Sequence, residues 1–93
     1  MDMADLKVYV EVIAVFDRDG RMLPRSLTWE DGRKYLIDRV VAISPAAALK
    51  VGGQGDRYTV RVQGKEKYLF FERSGSISGN NLGRWFVERR GGN

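Results

Sequence analysis

The chain of 93 residues contains no cysteine and no histidine. The first absence removes disulfides and thiolate chemistry and suits a reducing compartment. Together the two absences exclude Cys/His zinc sites, the Ser-His-Asp triad and the Cys-His nucleophile pair. No apolar run approaches the ~20 residues that a membrane-crossing helix needs. The opening "MDMADLK" carries acids where a secretory signal needs bases and an apolar stretch. Runs of helix-forming residues are missing, apart from three alanines after Pro45. The acid pairs Asp17/Asp19 and Glu30/Asp31 fall in turns, where they are expected to be fully solvated and to form no catalytic cleft. The expectation is a cytoplasmic protein that is not an enzyme and carries no cofactor or metal.

What is present favours strands. Hydrophobic residues make up 43% of the chain, enough for one core. Ten of them are valines, mostly in alternating patterns. The net charge is +4, with eleven arginines and five lysines. Residues 1–45 hold eight acids and seven bases, whereas residues 46–93 hold four acids and nine bases. The basic second half is compatible with nucleic acid but does not demand it.

From Leu6 to Phe16 apolar residues recur at every even position, and at the odd positions Ile13 and Val15, a strand signature with the later half expected to be covered on both faces. "DRDG" marks a turn, and "RMLP" resumes extended chain up to Pro24. Asp31-Gly32 predicts a hairpin with a two-residue turn, placing Glu30 opposite Arg33 and Trp29 opposite Lys34. The second arm changes parity at Val40, which a bulge near Asp38-Arg39 would reconcile. "SPAAALK", Ser44 to Lys50, carries the helix signals: a capping serine, proline at the first helical position, and Gly52 as a stop. A further hairpin turns around Gly64 in a register that the residues leave open. One choice pairs Val62 with Tyr68 and Val60 with Phe70. "SGSISGNNLG", Ser74 to Gly83, is the longest polar connection, and Ser74 to Leu82 is expected to be mobile. "RWFVERR" is the last strand. The expected fold is all-β: a small SH3-like or OB-like partly open barrel of five to six strands with one short helical turn, or else a curled open antiparallel sheet. Residues 6–90 form the single domain, between a flexible N-terminus (1–5) and tail (91–93).

Three constellations invite a binding role. The glycines of "LKVGGQGDR" do not match a Walker loop or a dinucleotide fingerprint. Lys50, Gly52, Gly53, Gly55 and Arg57 could form an anion nest. The same glycines serve equally as a helix stop and a bend, which is the favoured reading. Arginines and lysines interleave with aromatics between Arg57 and Arg90. Arg57, Arg61, Lys67 and Arg73 are the candidate nucleic-acid face, although the same pattern describes the solvated side of core strands. Trp29 and Tyr35 form a candidate protein-contact cluster, or else a cap on the core.

The segments "TWEDGRKYLIDRV", "LKVGGQGDRYTVRVQGKEKYLFFE" and "GRWFVE", spanning Pro24 to Glu88, resemble a family of short, mainly Gram-positive bacterial proteins of unknown function. That resemblance implies a small all-β fold in a bacterial cytoplasm and brings no activity, substrate or catalytic residue. The expected role is a non-catalytic protein-interaction module using Trp29 and Tyr35 or an exposed sheet edge. The alternative is a small barrel that binds nucleic acid weakly and in a salt-dependent way. Oligomeric state is not legible.

Overall fold

The computed structural model describes residues 7–45, 55–78 and 80–89, with the backbone alone for 75–78. These residues form seven strands: β1 Lys7–Phe16, β2 Met22–Thr28, β3 Lys34–Leu36, β4 Arg39–Pro45, β5 Gly55–Val62, β6 Lys65–Ser78 and β7 Asn81–Glu88. All neighbours pair antiparallel in one sheet of order β3-β2-β1-β7-β6-β5-β4. The order is the chain's own sequence closed through β1 and β7. Its two edge strands, β3 and β4, are consecutive in the chain and joined by Ile37 and Asp38 alone. The result is an open, curled barrel.

Alternation decides what lies inside. Val10, Val12 and Ala14 of β1 pack on a buried cluster of Leu27, Ile37, Tyr58, Val60, Leu69, Phe71 and Trp85. The Trp85 ring lies 5.1 Å from Tyr58 and 4.9 Å from Phe71, centroid to centroid. The Tyr58 hydroxyl crosses the interior and donates to the Met22 carbonyl at 2.7 Å. Burial pushes its pKa up. Phe70 and Phe86 are also buried, but on the opposite, convex face, where their rings stack at 5.0 Å. The doubly apolar run Tyr68–Phe71 is thus covered on both faces along most of its length, although Tyr68 remains 54% exposed.

Several expectations are corrected. The hairpin at Asp31-Gly32 has a three-residue loop, because Trp29 N donates to Arg33 O and Gly32 N to Trp29 O. Gly32 takes φ +88°, and the pairing that follows is Thr28 with Lys34. Arg33 then approaches Asp31, not Glu30, while Glu30 pairs with Arg89. The "DRDGR" turn repeats the arrangement, with Asp17 N to Arg21 O and Gly20 N to Asp17 O. The β5–β6 hairpin turns on Gln63-Gly64, both at positive φ, a primed turn that sets Val62 opposite Lys65 and Val60 opposite Lys67. That differs from the Val62–Tyr68 register by an odd number of residues, so every β6 side chain changes face relative to β5. Ser44 and Pro45 are not a helix start. They finish β4, opposite Arg57 and Asp56. Residues 46–50 of the expected helical turn lie outside the described residues. The supposed loop from Ser74 is the end of β6, and Ser78 pairs with Asn81 of β7.

Two glycine-related positions set opposite expectations for stability. A Cβ on Gly55 would stand 2.0 Å from the Phe71 carbonyl oxygen of β6. Gly55→Ala should therefore cost about 1–3 kcal/mol by forcing the two strands apart. Gln63 holds φ +52° without being glycine, so Gln63→Asn should gain about 0.5 kcal/mol by relieving left-handed strain. Urea denaturation of both variants checks the pair of signs.

Candidate functional site

β3 is three residues long, and it covers only Ser26 to Thr28 of β2. The rest of that β2 edge, Met22 to Arg25, carries no strand among the described residues. β4 has β5 as its one strand neighbour there, so its outer edge is open as well. The two edges flank a groove of about 460 Å³, walled by Arg21, Leu23, Pro24 and Arg25 on one side and by Ile37 to Ile43 on the other. Pro24 and Ile37 are buried, whereas Val41 and Ile43 are 41% and 43% exposed.

Each wall contains a bulge. In β2 the register passes from Ser26 to Pro24 and leaves Arg25 without a partner on β1. In β4 it passes from Val40 to Ala42 and leaves out Val41. Val40 stays against the core while the extra residue, Val41, is exposed, which is how a bulge re-aims side chains. The walls differ in what their backbones offer. Pro24 has no N–H, so β2 is a poor partner for an added strand. β4 has no proline from Arg39 to Ser44, and alternate amides and carbonyls of such a strand face away from β5. The groove is also cationic. Arg25 and Arg39 are exposed and make no ion pair with any described residue, whereas Arg21 is held by Asp17 at 2.9 Å. The one acid of the walls, Asp38, accepts a hydrogen bond from the Gln63 amide at 3.1 Å.

The four cations proposed from sequence as a nucleic-acid face do not share a face. Arg57 and Arg61 alternate with the buried Tyr58 and Val60 and so project from the convex side. Lys67 opposes Val60 and Arg73 follows Phe71 by two, which puts both on the core side of the sheet. Three of them are also engaged. Arg57 lies over the Tyr68 ring at 4.6 Å, Arg61 pairs with Glu66 at 3.3 Å, and Arg73 pairs with Asp56 at 3.1 Å. On the convex face Glu72 accepts from Lys7 at 2.9 Å and from the Tyr9 hydroxyl at 3.1 Å, with Arg84 at 3.4 Å. Lys7 lies over Phe86 and Arg84 over Tyr9, at 4.7 and 4.0 Å. The basic-aromatic interleaving is therefore largely a set of contacts within the molecule.

Trp29 and Tyr35 are both half-buried and packed on the core, so they cap one end of it. Of the anion-nest residues, Lys50, Gly52 and Gly53 lie outside the described residues. Gly55 is a buried strand residue where β5 approaches β6, and Arg57 is stacked on Tyr68. Sequence reasoning missed Arg25, Arg39, Val41 and Ile43 as a group. The available signal was the parity break at Val40-Val41, since a bulge there exposes apolar side chains. Among the described residues no cluster of acids could hold a metal ion. No protein-family model, curated protein or solved structure matches the chain.

The Glu72 contacts make an acid-sensitive joint between β1, β6 and β7. The hydrogen bond from Lys7 is the main cause that holds its pKa below the ordinary 4.5, against the opposing effect of burial. A carboxylate depressed in the folded state adds stability that is complete above its unfolded pKa and lost as pH falls through the folded one. Wild type should therefore exceed Glu72→Gln in stability at neutral pH, and the gap should shrink progressively below pH 4.5. Urea midpoints measured from pH 7 down to pH 3 would show a pH-independent gap if the joint carried no charge coupling.

Proposed function

We propose that this chain is a non-catalytic protein-interaction module of a bacterial cytoplasm, which takes an extended acidic segment of another protein as an added strand along β4. The observation that carries the reading is the open β4 edge, without proline from Arg39 to Ser44, beside a groove with unpaired arginines and exposed apolar side chains. In strand addition the main-chain hydrogen bonds supply affinity, and alternate side chains of the ligand supply selectivity. β4 offers seven residues, so a ligand of about that length spans the edge. Alternate apolar side chains of such a ligand meet Val41 and Ile43, and its carboxylates meet Arg25 and Arg39. The cysteine-free composition suits the cytoplasmic setting. Nucleic-acid binding is the weaker reading, because three of its four candidate cations are already paired or stacked.

Panning a random seven-residue peptide library tests the reading. Enriched peptides should alternate apolar residues with Asp or Glu, and their titration should shift the amide resonances of residues 39–44. Arg25→Glu and Arg39→Glu should each weaken binding by about tenfold or more while the spectrum stays folded. Failure to enrich any peptide, or shifts centred on Trp29 and Tyr35 in place of β4, would refute the assignment. A single-stranded oligonucleotide that shifts Arg57 and Arg61 at moderate salt would favour the nucleic-acid reading instead.

A further inference from the structure

The convex side of the β1-β2-β3 meander carries a pattern that the peptide groove does not use. Val12, Leu27 and Tyr35 are paired across these strands and pack toward the core. The flanking rows therefore face outward. One row is Glu11, Thr28 and Lys34, and the other is Ile13, Ser26 and Leu36. Ile13 is 56% exposed and Leu36 is 74% exposed, the largest value among the exposed apolar side chains. Glu11 and Lys34 are both exposed, and neither makes an ion pair with a described residue. Two strand spacings of ~4.8 Å put their backbones about 10 Å apart, with Thr28 between them.

We infer that this face binds a second copy of the chain, through a two-fold axis running along β2. Such an axis exchanges β1 and β3. It lays Glu11 over the partner's Lys34 and Ile13 over the partner's Leu36, and the reverse pairs follow by symmetry. β2 lies over β2, where the short side chains of Ser26 and Thr28 allow the sheets to approach to ~10 Å. Glu11 and Lys34 then each meet the opposite charge, and Ile13 meets Leu36. The charge order acid-polar-base across three strands is what makes the face complementary to itself. The patch is small, so the dimer is weak and depends on concentration and salt. It uses no residue of the β4 groove, and neither proposal depends on the other.

Sedimentation velocity over a concentration series at low salt tests the inference. Wild type should shift from monomer toward dimer as concentration rises, and Leu36→Glu should stay monomeric. Lys34→Glu and Glu11→Lys should each weaken the dimer by about tenfold or more, because like charges then face one another. The double variant Glu11→Lys/Lys34→Glu should recover the wild-type dissociation constant to within about threefold, since both ion pairs are re-formed with reversed sign. Circular dichroism of each variant establishes that the fold is kept. Wild type that remains monomeric up to its solubility limit overturns the proposal. So does a dimer indifferent to Leu36→Glu, or a double variant no tighter than the singles.

Discussion

Two consecutive peptide groups hold the two ends of the sheet together. The amide of Ile37 donates to Arg25 O of β2 at 2.9 Å, and the amide of Asp38 donates to Arg61 O of β5 at 2.8 Å. One residue belongs to the first meander and the next to the second. Ile37 adds a buried side chain to the core, and the Asp38 carboxylate reaches the Gln63 amide at the β5–β6 turn. A chain of this length closes its core only if the two meanders stay in register on both sides. β1–β7 pairing does this on one side, and Ile37-Asp38 does it on the other.

The groove is a consequence of that joint. Because the chain itself crosses from one edge of the sheet to the other, β3 and β4 diverge from a shared point, and nothing described fills the wedge between Met22–Arg25 and β4. The Tyr58 hydroxyl on the Met22 carbonyl sets how far the wedge can open, since it spans the core from β5 to β2. Bulges at Arg25 and Val41 flank the same wedge and give it its cations and its apolar surface. A fully closed barrel would have no such edge, and an open flat sheet would expose a far longer one. The structure lies between these, with one edge broken by proline and the other accessible.

What the sequence made legible follows from which signals are local. The even-position pattern of β1 marked the strand and put Val10, Val12 and Ala14 on the core, but its later half is not covered on both faces, since Ile13, Val15 and Phe16 are exposed. The all-β class followed in the same way. Register was not legible where a single turn decides it. Gln63 adopts positive φ despite its side chain, so nothing in "VRVQGKEKY" marks a two-residue turn. The helix signals of "SPAAALK" were local and real, but Ser44 and Pro45 are held by pairing with β5, which outweighs a cap at the end of so short a segment. The polar run after Arg73 looked like a loop because serine, glycine and asparagine show no apolar alternation. Its backbone is nonetheless carried into a ladder by the β6–β7 hairpin. The candidate cations are not gathered on one face for a related reason: the odd shift in the β5–β6 register divides Arg57 and Arg61 from Lys67 and Arg73.

The charge of the molecule is sorted by this geometry more than by its composition. Four cations of the basic second half, Arg57, Arg61, Arg73 and Arg84, are drawn onto aromatic rings or onto Glu66, Asp56 and Glu72, where they brace neighbouring strands. The first half is close to neutral in composition, yet it holds Arg25, Arg39, Glu11 and Lys34 without partners among the described residues. Unpaired exposed charges cost little in stability and add specificity only when a complementary surface arrives. Under the two proposals, recognition falls to charges that folding left unpaired where β1, β2, β3 and β4 meet around the Ile37-Asp38 joint.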